Sequence, residues 1–191
     1  MGCASVIPFD ASCVHGRESR GAQLEDTIRF ALSNFTLTFL VIGLLGSAVS
    51  LNGAPRPLTT TTLAEALLSY FMLFSIGISF FYNFVMHVFF GKMSAAFIGW
   101  QDSPFQAEVG YASLGFALIG FLAFRRGFDI RLAAVVGIAA FLWGAATGHI
   151  VEIVKTSNYA SGNAGIILYT DILLPIIGFA LIWWRYKVAP K

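Results

Sequence analysis

Long apolar stretches alternate with short polar ones along most of this chain. A helix that crosses a bilayer needs about 20 mostly apolar residues. The stretches that meet this condition are residues 30–51, 63–89, 105–124, 130–154 and 166–186. They are predicted to be helices, because lipid offers no partner for backbone amides and no alternating pattern indicates a barrel. The pattern therefore predicts an all-α integral membrane protein, a bundle of about five transmembrane helices.

Polar breaks with helix-stopping residues separate the predicted spans. The sequence NGAPRPLTTTT lies between the first two spans, RRGFD between the third and fourth, and TSNYASGNAG between the fourth and fifth. Glycine and proline in such segments are typical of turns. Residues 1–26 are predicted to be a flexible N-terminal tail, and residues 27–191 the transmembrane domain. Gly144–Gly148, Gly115 and Gly120 predict close helix packing.

Composition supports a membrane location. The chain has 191 residues, of which 57% are hydrophobic and 12% charged, whereas soluble domains average about 25% charged residues. The net charge of +2 is scattered along the chain, which excludes the basic stripe expected of a nucleic-acid-binding protein. The expected partner is the lipid bilayer of the cell (inner or plasma) membrane. A homo-oligomer and a larger membrane complex both stay open.

The distribution of lysine and arginine predicts an orientation. One side of the predicted bundle collects seven basic residues and the other side five. Short cytoplasmic loops carry the excess of positive charge. The sequence therefore predicts an external N-terminus and a cytoplasmic C-terminus. The seven residues are Arg56, Arg125, Arg126, Arg131, Arg185, Lys187 and Lys191.

The polar stretch FIGWQDSPFQAEVG precedes the third span. Ser103, Pro104 and Gln106 have the spacing of a capping box that starts a helix. Trp100 is most simply an interfacial anchor. Glu108 falls in the second helical turn, where a carboxylate facing lipid is costly. It is therefore expected to face the interior of the bundle.

An odd number of spans gathers the scarce ionisable residues at one membrane face. His149 and Glu152 stand three residues apart on one helix face. Pro175 leaves the carbonyl of Asp171 without its usual helical partner. The residues expected to approach one another at this face are His87, Glu108, His149, Glu152 and Asp171.

Three interpretations of these five residues stay open. They could bind a transition metal, since imidazole and carboxylate suit iron, zinc and manganese, or a heme with His87 and His149 as axial ligands. They could form a proton or ion relay or a small-solute pathway. They could also fix helix register in a structural or accessory membrane subunit. No nucleophile elbow, phosphate loop or HExxH motif is present, so the sequence leaves open whether the protein is an enzyme.

Three segments carry a family resemblance: HVFFGKMSAAFIGWQDSPFQAEVG, FLWGAATGHIVEI and NYASGNAGIILYTDILLP. In these segments the chain resembles a family of small prokaryotic multi-pass membrane proteins known only as a domain of unknown function. The resemblance covers about residues 63–184, and the first span fits the pattern less well. It implies an integral membrane protein and no particular reaction. The matching positions are His87, Gly99, Trp100, Ser103, Pro104, Phe105, Gln106, Glu108, Gly110, Gly148, His149, Glu152, Asn158, Tyr159, Gly162, Asn163, Gly165, Tyr169, Asp171 and Pro175.

Overall fold

A computed structural model describes the backbone of residues 11–189 and the side chains of residues 21–189. The prediction of a flexible tail therefore lies partly outside the described residues. The described part of the chain is all-α, as predicted. Its helices are α1 Ala11–Ser33, α2 Phe35–Asn52, α3 Thr60–Tyr70, a π-helix Phe71–Ile78, α4 Ser79–Phe89, α5 Gly91–Ile98, α6 Phe105–Ala123, α7 Phe128–Thr156, α8 Ser161–Ala164 and α9 Ile166–Lys187.

The chain divides into two compact units, Met1–Ser33 and Asn34–Lys191. In the first unit, residues 21–30 of α1 are exposed, and Arg29 donates a hydrogen bond of 2.8 Å to Glu25 one turn earlier. The domain boundary expected after residue 26 stays a prediction. The second unit contains all the spans described below.

The described residues contain five candidate membrane spans, as the hydropathy pattern predicted. The spans are Phe35–Asn52, Thr60–Phe89, Phe105–Ala123, Phe128–Thr156 and Ser161–Lys187. The second span begins at Thr60, earlier than predicted, because the hydroxyl of Thr59 accepts a hydrogen bond of 3.1 Å from the Thr62 amide and caps the helix. A polar cap of this kind is invisible to hydropathy.

Successive spans run in opposite directions, so their ends lie at two faces. One face holds the end of α2, the start of α3, the end of α6, the start of α7 and the end of α9. We call it the C-terminal face. We call the other one the opposite face. It holds the start of α2, the end of α4, α5, the start of α6, the end of α7, and α8. This alternation positions both polar clusters described below.

The second span is not uniformly α-helical. Its central residues Phe71–Ile78 form a π-helix, which hydropathy could not predict because this segment is strongly apolar whichever helix type it adopts. π-Helical turns are rare and occur frequently at functional sites. Ser75 within it is 1% exposed, and its hydroxyl is the one fully buried polar side-chain atom without a partner among the described residues.

Small and aliphatic residues fill the centre of the bundle. Leu68, Met72, Ile76, Val135 and Leu174 are each at most 1% exposed. The second and third spans come closest at two glycines, where a Cβ on Gly120 would lie 2.5 Å from the Gly77 amide nitrogen.

The glycine predictions have a mixed outcome. The close packing predicted at Gly120 is confirmed. At Gly115, Gly144 and Gly148 nothing among the described residues of this chain lies within 4 Å of a Cβ, so close packing there stays a prediction for contacts between chains.

Candidate functional site

Two of the predicted site residues form a buried pair near the opposite face. His149 of α7 is 6% exposed and Asp171 of α9 is 4% exposed. The His149 Nε2 and Asp171 Oδ2 atoms are 3.7 Å apart. His149 precedes the end of α7 by seven residues, which corresponds to a depth of about 10 Å along the helix.

Asn163 of α8 fixes the orientation of the imidazole. Its Oδ1 lies 2.7 Å from His149 Nδ1. Its Nδ2 donates to the carbonyl oxygens of Asn158 and His149, at 2.9 and 3.3 Å. These two carbonyl acceptors place the amide nitrogen, so the amide oxygen must face the ring. Because that oxygen can only accept a hydrogen bond, His149 Nδ1 carries a hydrogen and Nε2 faces Asp171.

This arrangement turns Nε2 of His149 toward the carboxyl group of Asp171. With Nδ1 protonated, a neutral imidazole presents a lone pair at Nε2, and an ionised carboxylate presents only lone pairs. Two acceptors facing each other in a buried site would be unfavourable. One proton resolves the conflict, either as an imidazolium beside a carboxylate or as a carboxylic acid beside a neutral imidazole.

Two loops lie over the His149–Asp171 pair, on the side of the opposite face. The Trp100 ring lies 5.8 Å from the His149 ring, between centroids, and is 41% exposed. The Asn158 amide donates to the Ile98 carbonyl at 3.0 Å. Gly99 has a φ of 80°, a left-handed conformation that disfavours residues with a Cβ. Trp100 is thus partly exposed and also packs near the imidazole; its role as an interfacial anchor stays a prediction.

The other three predicted site residues have separate surroundings. His87 Nδ1 lies 2.7 Å from Gln106 Oε1. Glu152 accepts a hydrogen bond of 3.2 Å from the Thr156 hydroxyl on its own helix. Glu108 is exposed, so the expectation that it faces the bundle interior is wrong.

The capping box predicted before the third span is also wrong. Helix α6 begins at Phe105, and no side chain caps it. The side chain of Gln106 is 7% exposed and contacts His87 instead of turning back to the helix start. The tertiary partner therefore replaces the local one that the spacing indicated.

The described residues contain no group of three or more His, Cys, Asp or Glu side chains that could hold a metal ion. His149 and Asp171 together supply two ligands, fewer than the three or four protein ligands of common zinc sites. The metal hypothesis for iron, zinc or manganese, and the heme variant, therefore stay predictions from the sequence.

Comparison with protein families covers most of the chain. The model of a family of unknown function, DUF6790, matches residues 33–191. The chain belongs to the DUF6790 family. The match begins at residue 33 and therefore includes α2, the span that was expected to fit the family pattern less well. No curated protein matches the chain, and no solved structure does.

A second polar cluster in the DUF6790 domain lies at the C-terminal face and was missed by the sequence analysis. Arg131 of α7 is 4% exposed, and its two terminal nitrogens donate to both carboxylate oxygens of Glu65, at 3.0 and 2.7 Å. Arg185 of α9 donates through Nε to Glu65 at 2.7 Å. We call Glu65, Arg131 and Arg185 the arginine cluster.

One signal in the sequence could have indicated this cluster. Glu65 is the sole acid in the second span, and Arg131 lies three residues inside the fourth. Charged groups at such positions require a partner because lipid cannot solvate them. In the pattern of basic residues the same arginines also serve as evidence of orientation.

Proposed function

We propose that this DUF6790 protein is a multi-pass membrane protein that binds and releases a proton at the His149–Asp171 pair. The observation that carries the proposal is the Asn163 contact, which turns the unprotonated edge of the imidazole toward the Asp171 carboxyl. Proton uptake by histidine and acid pairs is a known use of ionisable residues inside membranes.

The geometry favours this proposal over a purely structural role. Structural ion pairs are short and saturated with hydrogen bonds, as in the arginine cluster, where the N–O distances are 2.7 to 3.0 Å. The His149–Asp171 distance of 3.7 Å is longer than a hydrogen bond. Among the described residues, Asp171 has no hydrogen-bond donor to its carboxyl group. A pair this loose is poorly suited to fixing helix register.

Infrared difference spectroscopy tests the proposal directly. Difference spectra between acidic and alkaline pH are recorded for the protein in lipid nanodiscs. They are expected to contain a C=O band from a buried carboxylic acid. The band should disappear in Asp171→Asn and persist in Asp129→Asn, the control, which changes an exposed acid at the C-terminal face. His149→Gln should shift the pH at which the band changes, because it removes the facing imidazole.

Two results would contradict proton binding by the pair. One is a folded Asp171→Asn protein that keeps the whole pH-dependent band. The other is a nitrogen NMR spectrum in which His149 carries its hydrogen on Nε2 across the pH range. Thermal unfolding of each variant shows whether the bundle has survived the substitution.

We also propose an orientation in which the C-terminal face is cytoplasmic. Exposed Arg56, Arg125 and Arg126 lie in the connections at this face, in accord with the positive-inside rule. The His149–Asp171 pair then lies near the external surface and exchanges its proton with that compartment.

A further inference from the structure

The arginine cluster carries one more positive charge than negative charge. It contains the guanidinium groups of Arg131 and Arg185 and the single carboxylate of Glu65. Asp129 lies in the first turn of α7 nearby in sequence, but it is exposed and forms none of the described salt bridges. An unmatched charge at the end of membrane-spanning helices is costly unless water or an anion balances it.

The two arginines differ in how many of their donors are used. Arg131 donates through Nε to the Ala123 carbonyl at 3.0 Å. Its terminal nitrogens donate to Glu65, to the Ser69 hydroxyl at 2.8 Å and to the Phe124 carbonyl at 2.9 Å. Arg185 uses only Nε, and its terminal nitrogens contact no acceptor in the part of the chain that the structure describes. The unmatched charge therefore resides on the outer edge of Arg185.

We propose that Arg185 binds a phosphate group at the C-terminal face, supplied by an anionic phospholipid headgroup or by free phosphate. Guanidinium groups recognise phosphate oxygens through two parallel hydrogen bonds. Glu65 holds the Nε edge of Arg185 in place, so the terminal nitrogens are already oriented. Basic pockets between spanning helices at the cytoplasmic side are known binding sites for phospholipid headgroups.

The surroundings of Arg185 suit a headgroup at this depth. Arg185 lies in the last turn of α9, and its side chain is 27% exposed. Trp183 and Tyr186 on either side of it are 63% and 64% exposed, as is typical of the aromatic belt at headgroup level. Arg185 therefore lies where the apolar bundle surface meets the phosphate layer.

The neighbouring basic residues lack this organisation. Arg125 and Arg126 are exposed, and Arg125 lies over the Phe124 ring at 5.2 Å. Neither is held by a carboxylate in the described structure. They share the face and the charge of Arg185 but not its fixed geometry, so Arg126→Gln is a matched control for Arg185→Gln.

Native mass spectrometry and thermal unfolding test the site in detergent. Delipidated protein is supplied with phosphatidylglycerol, phosphatidylcholine or inorganic phosphate. Phosphatidylglycerol is expected to form a one-to-one adduct with the wild type and to raise its Tm. In Arg185→Gln the affinity should fall at least about tenfold, as expected for loss of a charge-assisted contact. Arg126→Gln should bind as the wild type does.

The arms of this experiment separate the two sources of phosphate. Stabilisation by phosphatidylglycerol alone identifies a lipid site, whereas equal stabilisation by inorganic phosphate identifies a free-anion site. An adduct that forms equally in the wild type and in folded Arg185→Gln overturns the proposal.

A second variant covers the case in which Arg185→Gln does not fold. Glu65→Gln keeps a hydrogen-bonding side chain but raises the charge of the arginine cluster by one. Phosphate-site affinity should then increase on the order of tenfold, because the new amide oxygen can still accept from Arg185 Nε while the competing negative charge is gone. The protein is expected to be less stable. Unchanged or weaker binding would overturn the proposal. The inference is independent of the proton-binding proposal, because neither His149 nor Asp171 contributes to it.

Discussion

At the residue scale, the role of His149 depends on a neutral neighbour. The topology argument predicted that His149 and Asp171 would approach each other, because both lie near helix ends at one face. It could not predict that Asn163 would bind Nδ1 at 2.7 Å, since an amide in a glycine-rich loop looks like an ordinary turn residue. The same is true of Gln106, whose spacing indicated a helix cap.

The arginine cluster makes a stability prediction at this scale. Arg131→Ala removes a side chain that is 5% exposed. Glu65 loses two of the hydrogen bonds that it accepts, and two backbone carbonyls lose this donor. Loss of a donor that leaves buried acceptors unsatisfied costs about 1–3 kcal/mol, and Glu65, whose side chain is 41% exposed, is partly solvated. We expect the free energy of unfolding, measured by titration with a denaturing detergent, to fall by about that amount. Arg125→Ala, at an exposed position, should change it by less than about 0.5 kcal/mol. Equal effects of the two variants would contradict the structural role of Arg131.

At the element scale, hydropathy predicted the number of spans. It also predicted those span ends that coincide with polar breaks in the sequence. The second span ends at Phe89 and the third begins at Phe105, as predicted. The π-helix at Phe71–Ile78 was not predictable, because it changes the backbone hydrogen bonds and leaves the apolar pattern intact. The short helix α8, which carries Asn163, was also hidden within a loop sequence.

The contact between the second and third spans makes a prediction for helix packing. Gly120→Ala places a methyl group 2.5 Å from the backbone of Gly77, which cannot move aside as a flexible side chain would. Overpacking of this kind costs about 1–3 kcal/mol. The Tm of Gly120→Ala should therefore fall below that of the wild type, whereas Gly115→Ala, on the same helix with nothing within 4 Å, should keep its Tm. Equal Tm values for the two variants would show that the spans can separate without cost.

At the scale of the whole molecule, five spans place the ends of the domain on opposite sides of the membrane. The chain has two cysteines, Cys3 and Cys13, both before the first span. With an external N-terminus, a membrane-impermeant maleimide should label intact cells that express the protein. Labelling should be absent in the Cys3→Ser, Cys13→Ser double variant, the control for reaction with other proteins. Labelling that requires cell lysis would contradict the proposed orientation.

The apolar core of the bundle bears on the proposed exchange of a proton at His149 and Asp171. Met72, Ile76 and Leu174 belong to one buried hydrophobic cluster, and Leu174 lies three residues beyond Asp171 on α9, toward the C-terminal face. If the pair exchanges its proton as proposed, this hydrocarbon favours exchange with the compartment at the opposite face. Such a centre would sense the acidity of one side and would not dissipate the electrochemical gradient across the bilayer.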